Sequence, residues 1–252
     1  MSTASALRLQ IEHALEHRFA SALTPRPQTG YETAPCGITA VDELLGGGLP
    51  IGAISEITGP ESSGRTGLAL SFLAQRTGAG QVCAWVDVND TLDPESAAAN
   101  GVSLRQVLWV RCADAKNAGS SKPWARLDQA LKAVDLILQA AGFAAVILDL
   151  GNAAVEQASR IPLATWFRFR QGAQRAQSSL VVLGAMPYAQ SSAAVVLECE
   201  RPQSVDEARV LDGLRFSVRR QRQRFPQAFS GGRKPPASIW SASGSWDAVK
   251  RA

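Results

Sequence analysis

Eight consecutive residues, Gly59-Pro60-Glu61-Ser62-Ser63-Gly64-Arg65-Thr66, carry the most specific chemistry in this 252-residue chain. They follow the phosphate-binding pattern G-x-x-x-x-G-K-[ST]. In that pattern backbone N–H groups cradle phosphate oxygens, a lysine reaches the β- and γ-phosphates, and a hydroxyl holds Mg²⁺. Both glycines and the hydroxyl residue Thr66 are present, but Arg65 stands where the lysine belongs. An arginine keeps the charge, yet its planar fork does not reproduce a compact ammonium. Gly59, Ser62, Ser63, Gly64, Arg65 and Thr66 are therefore the candidate ATP contacts, with Thr66 a candidate Mg²⁺ ligand. These residues leave open whether nucleotide binds and whether it is hydrolysed.

The flanking sequence supplies the elements such a loop needs. Residues 52–58 alternate like a short strand, and residues 67–77 read as a helix with Leu68, Phe72 and Gln75 at helical spacing. Strand, glycine turn and helix N-terminus together aim amides and a helix dipole at an anion. Further on, the apolar run Phe143-Ala144-Ala145-Val146-Ile147-Leu148-Asp149-Leu150 ends on an acid. A carboxylate at the carboxyl edge of a parallel sheet is where a second Mg²⁺ ligand belongs, which makes Asp149 the candidate.

The rest of the pattern is α/β. Apolar strands are predicted at 82–88 and 106–112, and helices at 40–45, 94–100, 125–141 and 161–176. In the helix over 125–141, Leu127, Leu131, Val134 and Leu138 share one face. Strands follow at 180–183, 193–199 and, across Asp212-Gly213, from 210 to about 222. No helix separates these last strands, so a mostly parallel central sheet flanked by helices is expected to close with antiparallel strands.

Composition bounds the biology. A hydrophobic content of 46% over 252 residues suffices for one well-filled domain. No apolar run has membrane length and the N-terminus lacks a signal-peptide core, so a cytoplasmic protein is expected. Cys36, Cys83, Cys112 and Cys199 are scattered and read as buried thiols, while His13 and His17 lack the partners of a metal site. The net charge of +4 is uneven, because residues 201–252 hold eleven Lys/Arg against four Asp/Glu. Such a basic end suits a polyanion or an acidic protein.

Three segments emerge: an N-terminal helix and linker (1–30), a core (31–225) and a flexible tail (226–252) from which Trp240 and Trp246 stand out. In the N-terminal helix Leu7, Ile11, Leu15, Phe19 and Leu23 recur every four residues. That stripe would dock either on its own domain or on a partner.

Four pieces in order resemble the RecA-type recombinase core. They are Gly37 to Pro50, the loop Gly59 to Thr66, the stretch Ala84-Trp85-Val86-Asp87-Val88-Asn89-Asp90-Thr91-Leu92-Asp93-Pro94, and the strand ending at Asp149. The resemblance covers about residues 35–222, and Gly-Pro-Glu-Ser-Ser-Gly is the RecA form of the loop. It implies ATP with Mg²⁺, but with departures. Asn89 falls where RecA proteins carry the catalytic glutamate, and an amide cannot accept the proton of the attacking water. Gly184-Ala185-Met186-Pro187 replaces the Asn-Gln pair that senses γ-phosphate, and Tyr188 to Ser192 is too short for the long DNA-binding loop.

With these departures the chain is similar to the ImuA family, RecA-like accessory proteins of damage-induced (SOS) mutagenesis. That resemblance implies a non-recombinogenic scaffold in translesion synthesis, cytoplasmic and nucleoid-associated, in an oligomer or hetero-complex. The implied partners are an inactive polymerase-like protein, an error-prone polymerase, RecA, and single-stranded DNA. No residue is assigned a catalytic role. Arg219, Arg220, Arg222 and Arg224 on the closing strand would meet phosphates or an acidic partner, or form a solvated edge. Strand alternation places Arg220, Arg222 and Arg224 on one face. A working ATPase using Asp90 or a neighbouring subunit as base, and a nucleotide-gated switch without turnover, are the alternatives.

Overall fold

A computed structural model of the chain describes residues 30–112, 123–151, 155–207, 210–224 and 236–242. The predicted docking stripe (Leu7, Ile11, Leu15, Phe19) and the two histidines lie outside the described residues. In chain order the elements begin with β1 (Thr33–Ala34), α1 (Thr39–Leu45), β2 (Leu49–Pro50), β3 (Ile54–Thr58), α2 (Arg65–Gly78), β4 (Cys83–Asp87), α3 (Pro94–Ala99) and β5 (Val107–Arg111). They continue with α4 (Pro123–Ala140), β6 (Ala145–Asp149), α5 (Val155–Ala158), α6 (Leu163–Ala176), β7 (Ser179–Gly184) and β8 (Ala193–Cys199). The chain closes with β9 (Gln203–Glu207), β10 (Val210–Gln223) and β11 (Ala237–Ala242).

Among the described residues nine strands form one sheet in the order β11-β10-β8-β3-β7-β6-β4-β5, with β9 also on β10. The strands from β3 to β8 pair parallel, and β10 pairs antiparallel with β8, β9 and β11. Strands β3, β4 and β6 are buried along their whole length, the expected fate of continuous apolar runs covered on both faces. Side-chain alternation divides the core in two. One face joins Ile54, Val86, Leu148 and Val182 to Leu127, Val134 and Leu138 of α4 and to Trp166 and Phe169 of α6. The other joins Ile57, Trp85, Ile147 and Leu183 to Val41 and Leu45 of α1 and to Leu68 and Phe72 of α2.

This topology sets where chemistry can occur. Strand β3 is central, with β7 on one side and β8 on the other. Helix α2 carries the chain from β3 past β7 and β6 to β4, while β8 lies on the opposite side. The loop after β3 therefore sits at a switch point on the carboxyl edge, where α/β sheets open a crevice.

The closing strands need three adjustments. Strand β8 is parallel to β3 even though only residues 185–192 separate it from β7. Asp212-Gly213 lies inside β10, where the register against β9 shifts, rather than at a turn. Residues 237–242, assigned to a flexible tail by composition, form β11 because Phe216 and Trp240 pair across the strands and Trp240 packs on the core. All four cysteines are free and buried. Among the described residues no helix is long and apolar enough to cross a membrane.

Gly48 has φ +120°, and a Cβ there would lie 2.0 Å from the Ala34 carbonyl oxygen, in a β1–β2 pair that cannot step aside. Gly48→Ala is expected to cost about 2–4 kcal/mol, read as a lowered urea midpoint. An unchanged midpoint would show that the approach relaxes.

Candidate functional site

The loop after β3 is tied to the strands on both sides. The Thr58 hydroxyl donates to Leu197 O at 3.0 Å, and Gly59 N donates to Gly184 O at 3.2 Å. A Cβ on Gly59 would meet Cys199 O at 2.4 Å, so only glycine lets the loop lie this close to the end of β8. Ser62 (φ +60°) and Gly64 (φ +85°) bend the chain, and Ser63 N donates to Pro60 O at 3.3 Å. Helix α2 then starts at Arg65 without a side-chain cap, leaving its N-terminal amides and dipole at the loop.

The two distinguishing side chains point opposite ways. Thr66 is exposed, while Arg65 is only 8% exposed. Arg65 Nη1 donates to Gly59 O at 2.6 Å, closing the loop on its own first carbonyl. Ser63 is fully buried, and its hydroxyl has no hydrogen-bond partner.

Two acids sit beside each other at the ends of β4 and β6, where Asp87 and Asp149 are register partners. Asp87 accepts from Asn89 N at 3.2 Å and from Leu92 N at 2.9 Å, so both its oxygens hold the following turn. Asp149 accepts from Gly151 N at 2.8 Å. Burial, and then the charge of Asp87, push the Asp149 carboxyl up to about 6 against the opposing pull of Gly151 N and Arg65. The Asn89 amide donates to Leu150 O at 3.2 Å. Asp90 is turned away (φ +60°) into a two-pronged pair with Arg111, which holds its carboxyl below the ordinary range. Arg111 in turn lies 4.9 Å over the Trp109 ring.

Gly59, Ser62, Ser63, Gly64, Arg65, Thr66 and Asp149 thus lie at one carboxyl edge. They do not fit a nucleoside triphosphate with Mg²⁺. Thr66 and Asp149 are the right kind of oxygen donors, but the cation that should meet phosphate is spent on Gly59 O. Among the described residues no group of three or more His, Cys, Asp or Glu side chains could hold a metal unaided.

The arginines on β10 are corrected by a bulge. Arg220 is opposite Leu197 and Arg222 is opposite Val196, with the register slipping between them. Leu197 and Val196 belong to opposite core faces, so Arg220 and Arg222 do as well, against simple alternation. Arg220 donates to Leu44 O at 2.6 Å and to Gln223 Oε1, whereas Arg222 donates to Gln190 O on the other face. Arg219 pairs with Glu200 and lies 3.8 Å from Glu198. Arg222 and Arg224 are exposed.

Two important side chains escaped the sequence reading. Glu56, 1% exposed in the middle of β3, accepts from Tyr188 N at 2.6 Å and Ala189 N at 2.8 Å. Burial raises its carboxyl above the ordinary range. It fixes the loop between β7 and β8, and its only signal was one acid in an otherwise buried strand. Phe216 lays its ring on Gly64, 2.6 Å from where a Cβ would sit, and stacks on Trp240 at 5.5 Å and 21°. An aromatic amid the arginines of β10 was its signal.

The RecA N-terminal domain family matches residues 3–161. Protein RecA of Crocosphaera subtropica is 39% identical over 127 residues, 50% of this chain and 33% of that protein. Protein RecA of Streptomyces avermitilis is 37% identical over 150 residues, 59% of this chain and 37% of that protein. The chain spans about a third of the length of the curated relatives it matches. The crystal structure of the RadB recombinase aligns with a TM-score of 0.57 and 16% identity, covering 82% of this chain and 94% of that one, a likeness of fold alone.

Because Asp149 is raised to about 6 in the folded chain, the unfolded chain releases this proton first. Its contribution is fully present below pH ~4 and is lost as pH rises through about 6, which costs roughly 2–3 kcal/mol at neutral pH. Asp149→Asn should raise the unfolding free energy by that amount at pH 8 and scarcely at pH 4. Equal effects at both pH values would contradict the raised carboxyl.

Proposed function

The chain belongs to the RecA N-terminal domain family, and from that premise we propose that it is a non-recombinogenic accessory protein rather than a recombinase or motor. The observation that carries this reading is Asn89. It stands where RecA proteins have their catalytic glutamate, and its amide nitrogen is committed to Leu150 O. The two other acids closest to it in the chain, Asp87 and Asp90, are engaged as well. Asp90 is neutralised by Arg111, and both oxygens of Asp87 accept backbone bonds. A general base needs a free lone pair within reach of the attacking water.

The loop that would engage DNA supports the same view. Residues 185–192 are pinned beneath Glu56 and close with a tight turn at Gln190–Ser192, leaving no length to pass between bases. The resemblance to the ImuA family then gives the role its context. The protein acts in damage-induced translesion synthesis, with an inactive polymerase-like protein, an error-prone polymerase and RecA as partners, at the nucleoid in the cytoplasm. The stripe of Leu7, Ile11, Leu15 and Phe19 serves as the docking element. Any contact with single-stranded DNA falls first to Arg222 and Arg224, which are the more exposed, although Arg222 also holds the Gln190 carbonyl.

The test is ATP hydrolysis by the full chain, with and without single-stranded DNA, against Thr66→Ala as the contamination control. Turnover no higher than in the control is expected. DNA-stimulated turnover that disappears in Thr66→Ala would overturn the accessory reading.

A further inference from the structure

We propose that this chain's phosphate loop is closed to nucleoside triphosphates by its own side chains, with Arg65 filling it from within and Phe216 bracing it from outside. The proposal rests on the reading above only in taking Gly59 to Thr66 as the place where the family's ATP would sit. It concerns occupancy, not turnover.

Arg65 carries the first half. Its side chain is turned away from solvent, although it begins α2 beside the exposed Thr66. One guanidinium nitrogen is bound to Gly59 O, and the charge acts on Asp149, Tyr188 and Cys199. The guanidinium is thus held inside the loop, against the Gly59 carbonyl that itself abuts the end of β8, in the space a phosphate chain needs. A lysine ammonium is one compact point on a flexible stem and can share such a space with an anion. A guanidinium is a rigid fork whose plane takes up the width of the loop.

Phe216 carries the second half. Its ring lies between Gly64 and the indole of Trp240, which is anchored on the core. Spreading the loop toward β10 to admit phosphate would drive Gly64 into that ring and unstack the aromatic pair. Any larger residue at 64 would already collide with the ring.

Isothermal titration of ATP with excess Mg²⁺ into the full chain tests this, comparing the wild type with Arg65→Lys, Phe216→Ala and the double variant. No saturable binding is expected for the wild type. Arg65→Lys should bind, and the double variant should bind at least about tenfold more tightly than Arg65→Lys, because a larger fraction of its loops is open. Circular dichroism checks the fold of each, and Arg65→Lys alone suffices should the double variant not fold. Wild-type binding as tight as that of Arg65→Lys overturns the proposal while leaving the absence of turnover intact. Folded variants that still do not bind overturn it equally, because exclusion would then have another cause.

Discussion

A guanidinium removed from water must find partners, and the site of this protein is organised by that requirement. Arg65 is almost wholly buried and binds the carbonyl of Gly59, so the loop is sewn to the first turn of α2. A hydrogen bond to a charged donor in such a place is worth about 1.5–3 kcal/mol, and removing one partner costs more than making the bond gains. The ends of β3, β6 and β8 converge on this cation. Gly59 lies against Cys199, and Asp149 feels the positive charge. In this loop the cation is bound to a carbonyl of the loop itself.

The acids nearby show the same conversion from chemistry to architecture. Asp87 holds the backbone of Asn89 and Leu92, Glu56 holds Tyr188 and Ala189, and Asp90 is paired with Arg111. Each has at least one carboxylate oxygen held by the chain itself, although the second oxygen of Glu56 is buried without a partner. Asp149 also carries a raised carboxyl, pushed up first by its burial and then by the charge of Asp87, its neighbour in the sheet. An edge built this way is stable without substrate and poorly prepared to move a proton. That agrees with the accessory role proposed above.

Much of this could be read from the sequence, for local reasons. The glycine loop is a contiguous motif, the apolar runs of β4 and β6 announce buried parallel strands, and Leu127, Leu131, Val134 and Leu138 keep helical period to meet the core. Asp149 was legible because it closes an apolar strand. What was not legible depends on contacts distant in sequence. The inward turn of Arg65 is decided by the loop carbonyl and its neighbours, not by residue type. The bulge between Arg220 and Arg222 separates two arginines that alternation would align, and β-bulges leave little trace in composition. Phe216 meets Gly64 only after β10 has crossed the sheet, and β11 exists because Trp240 finds that ring. The N-terminal docking stripe falls outside the described residues, so its role stays with the proposal.

The central claim is that Arg65 is a structural member of its loop, and thermal unfolding of the wild type and Arg65→Ala, each with and without Mg²⁺ and ATP, tests it most directly. The account predicts that Arg65→Ala loses about 1.5–3 kcal/mol, the worth of a charged donor's hydrogen bond to a buried carbonyl. It also predicts that ATP shifts neither melting temperature. An Arg65→Ala variant as stable as the wild type, with a wild-type melting temperature that climbs with ATP concentration, would contradict it and restore the loop as a nucleotide site.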